Sequence, residues 1–110
     1  MNDWHFLILA IIFEVIGTTS LKLSNGFSKA IPSAFVVFGY AAAFYFLSRT
    51  LNSIPIGIAY AVWSGLGVIL ISVVGWFWFG DRIDIAGWIG IVLITSGVAV
   101  LNLFSKSAPH

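Results

Sequence analysis

The chain has 110 residues, of which 60% are hydrophobic and only 8% charged, and its mean hydropathy is +1.06. Soluble domains carry about 25% charged residues, so a chain this small has too little polar surface to face water, and lipid is the expected solvent. The net charge of +1 gives no footprint for nucleic acid, and the absence of cysteine excludes disulfides, thiolate nucleophiles and cysteine metal sites. Histidine occurs only at positions 5 and 110, so no cofactor or metal is expected.

The charged residues punctuate the chain at Asp3, Glu14, Lys22, Lys29, Arg49, Asp81, Arg82, Asp84 and Lys106. A transmembrane helix needs about 20 mainly apolar residues. Four intervals satisfy this, at about 4–21, 30–48, 57–79 and 85–104. Breaker residues fall between them: Asn25-Gly26, Asn52-Ser53-Ile54-Pro55 and Gly80-Asp81. Pro32 stands near the start of the second span, where a missing N–H is harmless. The expectation is an all-α membrane protein of four helices, a single domain over residues 1–110, with both termini on one side. A secretory signal peptide is rejected, because Asp3 precedes the first apolar run and Glu14 interrupts it.

Charge balance leaves orientation open. The termini and second loop carry Arg49 and Lys106, and the other two loops carry Lys22, Lys29 and Arg82, so the usual positive-inside bias nearly vanishes. Either the single extra charge orients the chain, or the chain inserts both ways and pairs with an inverted copy of itself.

In the first span, Glu14 lies near the middle. An ionised acid at that depth costs on the order of 2.5–3.5 kcal/mol on insertion scales. Lys22 stands eight residues further on, roughly 12 Å along the helix, and should snorkel to the interface. An acid without a cation of its own either binds a proton or meets a cation from outside. On its helix face lie Leu7, Ala10, Ile11, Gly17, Thr18 and Leu21, of which Ala10, Gly17 and Thr18 are small enough to admit a ligand or another helix.

The second span contributes Tyr40 and Phe44, four apart, and the third Tyr60 and Trp63, three apart, with Ser64 beside them. Rings around a carboxylate suit a lipophilic cation, although Trp and Tyr also form interfacial belts. Trp4, Trp76, Trp78 and Trp88 lie near span ends and belong to such belts. Gly65 and Gly67, midway through the third span, either permit close packing or mark a hinge. In the fourth span Gly90 and Gly97, with Leu93, Ile94 and Val98, form a stripe suited to self-association or to packing within the chain.

Together these residues resemble the small multidrug resistance transporters of bacteria. The resemblance rests on Glu14-Val15-Ile16-Gly17-Thr18-Thr19 with Lys22, on the run from Ile54 to Gly67, and on Arg82-Ile83-Asp84, and it extends over essentially the whole chain. It implies a multi-pass protein of the bacterial inner membrane, an antiparallel homodimer that exchanges protons for lipophilic cations without an enzymatic step. It further implies that Glu14 is the shared proton and substrate site and that Tyr40, Tyr60 and Trp63 are aromatic contacts. Ala10, Ile11, Gly17 and Thr18 would line the pocket, with Leu7, Phe44 and Ser64 beside them; Gly65 and Gly67 would form the bend, and Gly90 to Val98 the dimer stripe. One branch of the family exports guanidinium ions and places tryptophan three residues after the glutamate. Gly17 occupies that position here, favouring the quaternary ammonium and polyaromatic cation branch. Ala43 and Tyr45 replace a serine and a tryptophan of the best-known member, which bears on the drug profile. Outside transport, a proton-titrating membrane subunit is the competing reading; clustered aromatics argue against it.

Overall fold

The computed structural model describes residues 3–107. It contains four helices, α1 (Asp3–Leu23), α2 (Ala30–Thr50), α3 (Ile56–Trp78) and α4 (Ile85–Leu103), and no strand among the described residues. All four are long and apolar enough to cross a membrane. The boundaries match the sequence expectation to within two residues. Where α1 extends beyond it, Asp3 stands in the first turn and Lys22 in the last, each opposite the helix partial charge that favours it.

The described residues divide between Asn52 and Ser53 into two compact helical hairpins. In the first, α1 and α2 come into close backbone contact at Gly17 and Gly39. A β-carbon on Gly39 would stand 2.9 Å from both the Phe13 carbonyl oxygen and the Gly17 amide nitrogen, so only glycine fits this crossing. Lipid offers no hydrophobic drive to helix pairing, and close backbone approach through small residues replaces it. Rings flank the crossing. Phe13 stacks on Phe46 at 5.7 Å and meets Phe38 edge-on at 5.9 Å, while Phe6 stacks on Phe46 at 6.2 Å.

Ser24 organises the connection between α1 and α2. Fully buried, its hydroxyl donates to the Leu21 carbonyl at 2.7 Å and accepts from the Phe27 amide at 3.0 Å. Its own carbonyl accepts from Ser28 and Lys29. This web holds Asn25, Gly26 and Phe27 at φ of 49°, 69° and 67°. Left-handed backbone is routine for glycine and tolerated by asparagine, but strained for a phenylalanine.

In the second hairpin α3 runs unbroken through Gly65 and Gly67. Gly65 is buried against α4, where a β-carbon would stand 2.5 Å from Val98 Cγ2 and 3.3 Å from Ile94 Cγ2. Asp84 caps α4 by accepting a hydrogen bond from the Gly87 amide at 2.8 Å. At the end of α3, Gly80 takes φ of 70°, and the Phe79 and Asp81 amides both return to the Gly75 carbonyl. No residue of α4 is buried.

Candidate proton and cation site

Glu14 and Tyr40 occupy the middle of α1 and α2, far from both ends of each helix. Thr18, one turn after Glu14, stands between them. Its hydroxyl donates to Glu14 Oε1 at 2.7 Å and lies 2.5 Å from the Tyr40 hydroxyl. Threonine has one hydroxyl proton, and here it is donated in the hydrogen bond to Glu14 Oε1. The Tyr40 O–H therefore donates to Thr18, and the chain of donors runs from Tyr40 through Thr18 to Glu14.

The crossing of α1 and α2 makes this geometry possible. The Tyr40 ring lies against Gly17, its Cδ2 3.2 Å from where a β-carbon would stand. Gly39, the residue before Tyr40, brings the backbones close enough for the phenol to reach Thr18. The other carboxylate oxygen, Glu14 Oε2, is buried and accepts no hydrogen bond from the described residues. A desolvated, unpaired carboxylate oxygen is costly in a structural role and suited to binding a proton or a cation.

The remaining residues singled out in the sequence fall into distinct settings. Leu7, Ala10 and Ile11 are buried at 1%, 0% and 3% exposure. Phe44 is exposed and stacks on Tyr40, with centroids 6.4 Å apart. In the second hairpin Tyr60 is exposed and Trp63 half-buried, their rings 5.5 Å apart and tilted by 34°. The Ser64 hydroxyl donates to the Tyr60 carbonyl of its own helix, so its proton is already committed. Ile94 and Val98, placed by sequence in a self-association stripe, pack on Gly65 within the chain. Gly90 and Gly97 face open space, and Leu93 is exposed. A groove of about 460 Å³ runs along this side of the hairpin, lined by Ala61, Ser64, Gly65, Val68, Gly97 and Leu101 among others.

Ala43 and Tyr45 also differ in setting. Ala43 is buried, whereas Tyr45 is exposed and its hydroxyl accepts from Arg49 Nη1 at 3.2 Å. The Arg49 guanidinium also lies 5.1 Å from the centre of the Phe6 ring. Two residues escaped the sequence reading. Gly39 was signalled by its spacing of four from Ala43, the small-xxx-small pattern of helix contacts in lipid. Ser24 carried no comparable signal, because its role depends on the turn it creates.

Comparison with known proteins places these residues in context. The family model described as Small Multidrug Resistance protein matches residues 2–94. The quaternary ammonium compound-resistance protein QacE of Escherichia coli is 56% identical over 110 residues, covering all of both chains. QacF of Klebsiella aerogenes, named for the same resistance, is 54% identical over the same extent. The multidrug transporter EmrE of Escherichia coli K12 is 49% identical, again over the full length of both.

Proposed function

This chain belongs to the small multidrug resistance family, a multi-pass protein of the bacterial inner membrane, and on that premise we propose that it exports lipophilic and quaternary ammonium cations in exchange for protons. The observation that carries the proton-coupled part of this reading is the Glu14 carboxylate at mid-span, with Oε2 buried and without a hydrogen bond. The names of its relatives, quaternary ammonium resistance and multidrug transport, support the cargo class.

The mechanism needs no covalent step. A proton and a cation both require the negative charge on Glu14, so occupancy by one excludes the other. Aromatic side chains hold the cation by their ring quadrupoles, and Tyr60 with Trp63, and Tyr40 with Phe44, supply paired rings. Two chains inserted in opposite orientations would bring two Glu14 carboxylates to one chamber. Protons arriving from the acidic outer side displace the cation there, and they are released on the inner side once the chamber reopens. In such a pair, exchange of conformations between the two protomers turns an inward-open state into an outward-open one. The exposed α4, with Gly90, Leu93 and Gly97 uncovered, is the surface through which two copies would associate.

Glu14→Gln tests the reading, since it preserves shape and removes the titrating charge. Proteoliposomes carrying the variant should fail to exchange tetraphenylphosphonium against a pH gradient. Continued proton-driven exchange would overturn the shared-carboxylate mechanism.

A further inference from the structure

We propose that Thr18 and Tyr40 are positioning residues that make the two oxygens of Glu14 unequal: the hydroxyl chain holds Oε1, and Oε2 is the oxygen that takes the proton or faces the cation. This rests on the competition mechanism above and assigns its working atom. Three observations converge on it. Thr18 donates to Oε1 at 2.7 Å, which leaves Tyr40, 2.5 Å behind Thr18, as the donor to the Thr18 hydroxyl. Oε2 is buried and accepts nothing from the described residues. The Tyr40 ring lies in the space left at Gly17, and Gly39 lets the two backbones approach beside it.

Thr18 donates to the carboxylate directly, and Tyr40 acts on it through Thr18. A hydrogen bond to a charged group is stronger than one to a neutral group, and linked hydroxyls polarise one another. The chain of hydroxyls therefore engages Oε1 and leaves Oε2 for a cation or a proton. Tyr40 is the titratable group that α2 brings to this point. The charged residues of α1 and α2, Asp3, Lys22 and Arg49, stand in the first or last turns of their helices, and His5 is also near the start of α1. The same arrangement fixes the carboxylate rotamer, so a cation meets Oε2 in one orientation.

A role in positioning predicts a shift in the pH profile, while a role in direct cation contact predicts a loss at every pH. The test uses the full chain in detergent micelles, with tetraphenylphosphonium binding titrated from alkaline to acidic pH. Removing the Thr18 hydroxyl by Thr18→Val should raise the pH of half-displacement by about one unit, because a donor to the charged form is lost. Tyr40→Phe retains the ring and should raise it by about half as much. Thr18→Ser, which restores the donor, should return the profile to that of the parent. At alkaline pH the change in affinity of Thr18→Val should be smaller than the change at the pH where the parent is half displaced, and Thr18→Ser should match the parent at both.

A second readout is independent of cation binding: the carboxylate stretch removed by Glu14→Gln in infrared difference spectra should shift in Thr18→Val and return in Thr18→Ser. If the parent chain shows acid displacement but Thr18→Val shows the same profile and an unmoved carboxylate band, the positioning role is overturned and the competition mechanism stands. A uniform loss of affinity at all pH values in Thr18→Val and Tyr40→Phe would likewise overturn it, in favour of direct contact. Absence of acid displacement in the parent chain would instead remove the competition mechanism on which the proposal rests.

Discussion

The Tyr40 ring lies against Gly17, three residues after Glu14 on the neighbouring helix, with ring carbons 3.2 to 3.4 Å from the site of a missing β-carbon. This contact gives a physical meaning to the smallness of residue 17. It leaves space for an aromatic ring from α2, and that ring carries the hydroxyl behind Thr18. A large side chain at position 17 would occupy the same space itself and exclude the phenol.

Gly17 should therefore tolerate little enlargement. A single methyl group meets the edge of a ring that can give by a few tenths of an ångström, so Gly17→Ala should retain most of its cation affinity. Gly17→Val adds bulk that a β-branched side chain has little freedom to swing aside, forcing the Tyr40 ring away. Its tetraphenylphosphonium affinity in micelles should fall by about tenfold, the equivalent of a modest overpacking cost. Equal affinity in both variants would show that the ring position is immaterial.

The four helices were legible in the sequence because charge and breakers mark their ends. Asp3 and Lys22 bracket α1, Pro55 immediately precedes α3, and Asp84 caps α4. Glu14 stood out for the same reason, as the one charge inside an apolar run. The rotation of each helix was harder to read. In water an amphipathic stripe tells which face is buried, but in lipid nearly every face is apolar and the stripe disappears. Tyr40 thus read as a ring for cation contact, while its hydroxyl bond to Thr18 emerges only from the crossing at Gly39. Gly65 similarly read as either a hinge or a packing site; it is buried against Val98 in a continuous α3, a contact that depends on the rotation of both helices.

Ser24 should matter more than its place in a loop suggests. Ser24→Ala removes the acceptor for the Phe27 amide and the donor to the Leu21 carbonyl, in a site with no exposure. It also withdraws support from the left-handed Phe27, whose φ is 67°. The expected loss is about 1–3 kcal/mol, measurable by unfolding in a sodium dodecyl sulfate titration. Phe27→Gly, which relieves the backbone strain, should recover part of that loss when combined with Ser24→Ala.

The contact between Gly65 and Val98 predicts a compensating pair. A β-carbon at position 65 would stand 2.5 Å from Val98 Cγ2, and a valine on a helix has one strongly preferred rotamer, so it has nowhere to retreat. Gly65→Ala should destabilise the second hairpin by about 1–3 kcal/mol. Val98→Ala opens the space, and the double variant should be more stable than Gly65→Ala alone, with a coupling of about 1 kcal/mol. If Gly65 instead acts only as a bend, Val98→Ala will not rescue it in either the unfolding titration or transport.

Trp63 and Tyr60 provide the last prediction. Their rings stand 5.5 Å apart on one face of α3, with Tyr60 exposed and Trp63 half-buried, an arrangement that leaves ring surface for a cation. The quadrupole of a desolvated indole is worth about 0.5–2 kcal/mol toward a cation, so Trp63→Leu should weaken tetraphenylphosphonium binding by about threefold to thirtyfold. Trp63→Phe, which keeps a smaller aromatic face, should fall between the parent and Trp63→Leu. Because the loss is in cation contact and leaves proton affinity alone, weakening should persist at alkaline pH, in contrast to the profile shift expected of Thr18→Val. A Trp63→Leu chain that binds as tightly as the parent would assign the tryptophan to packing.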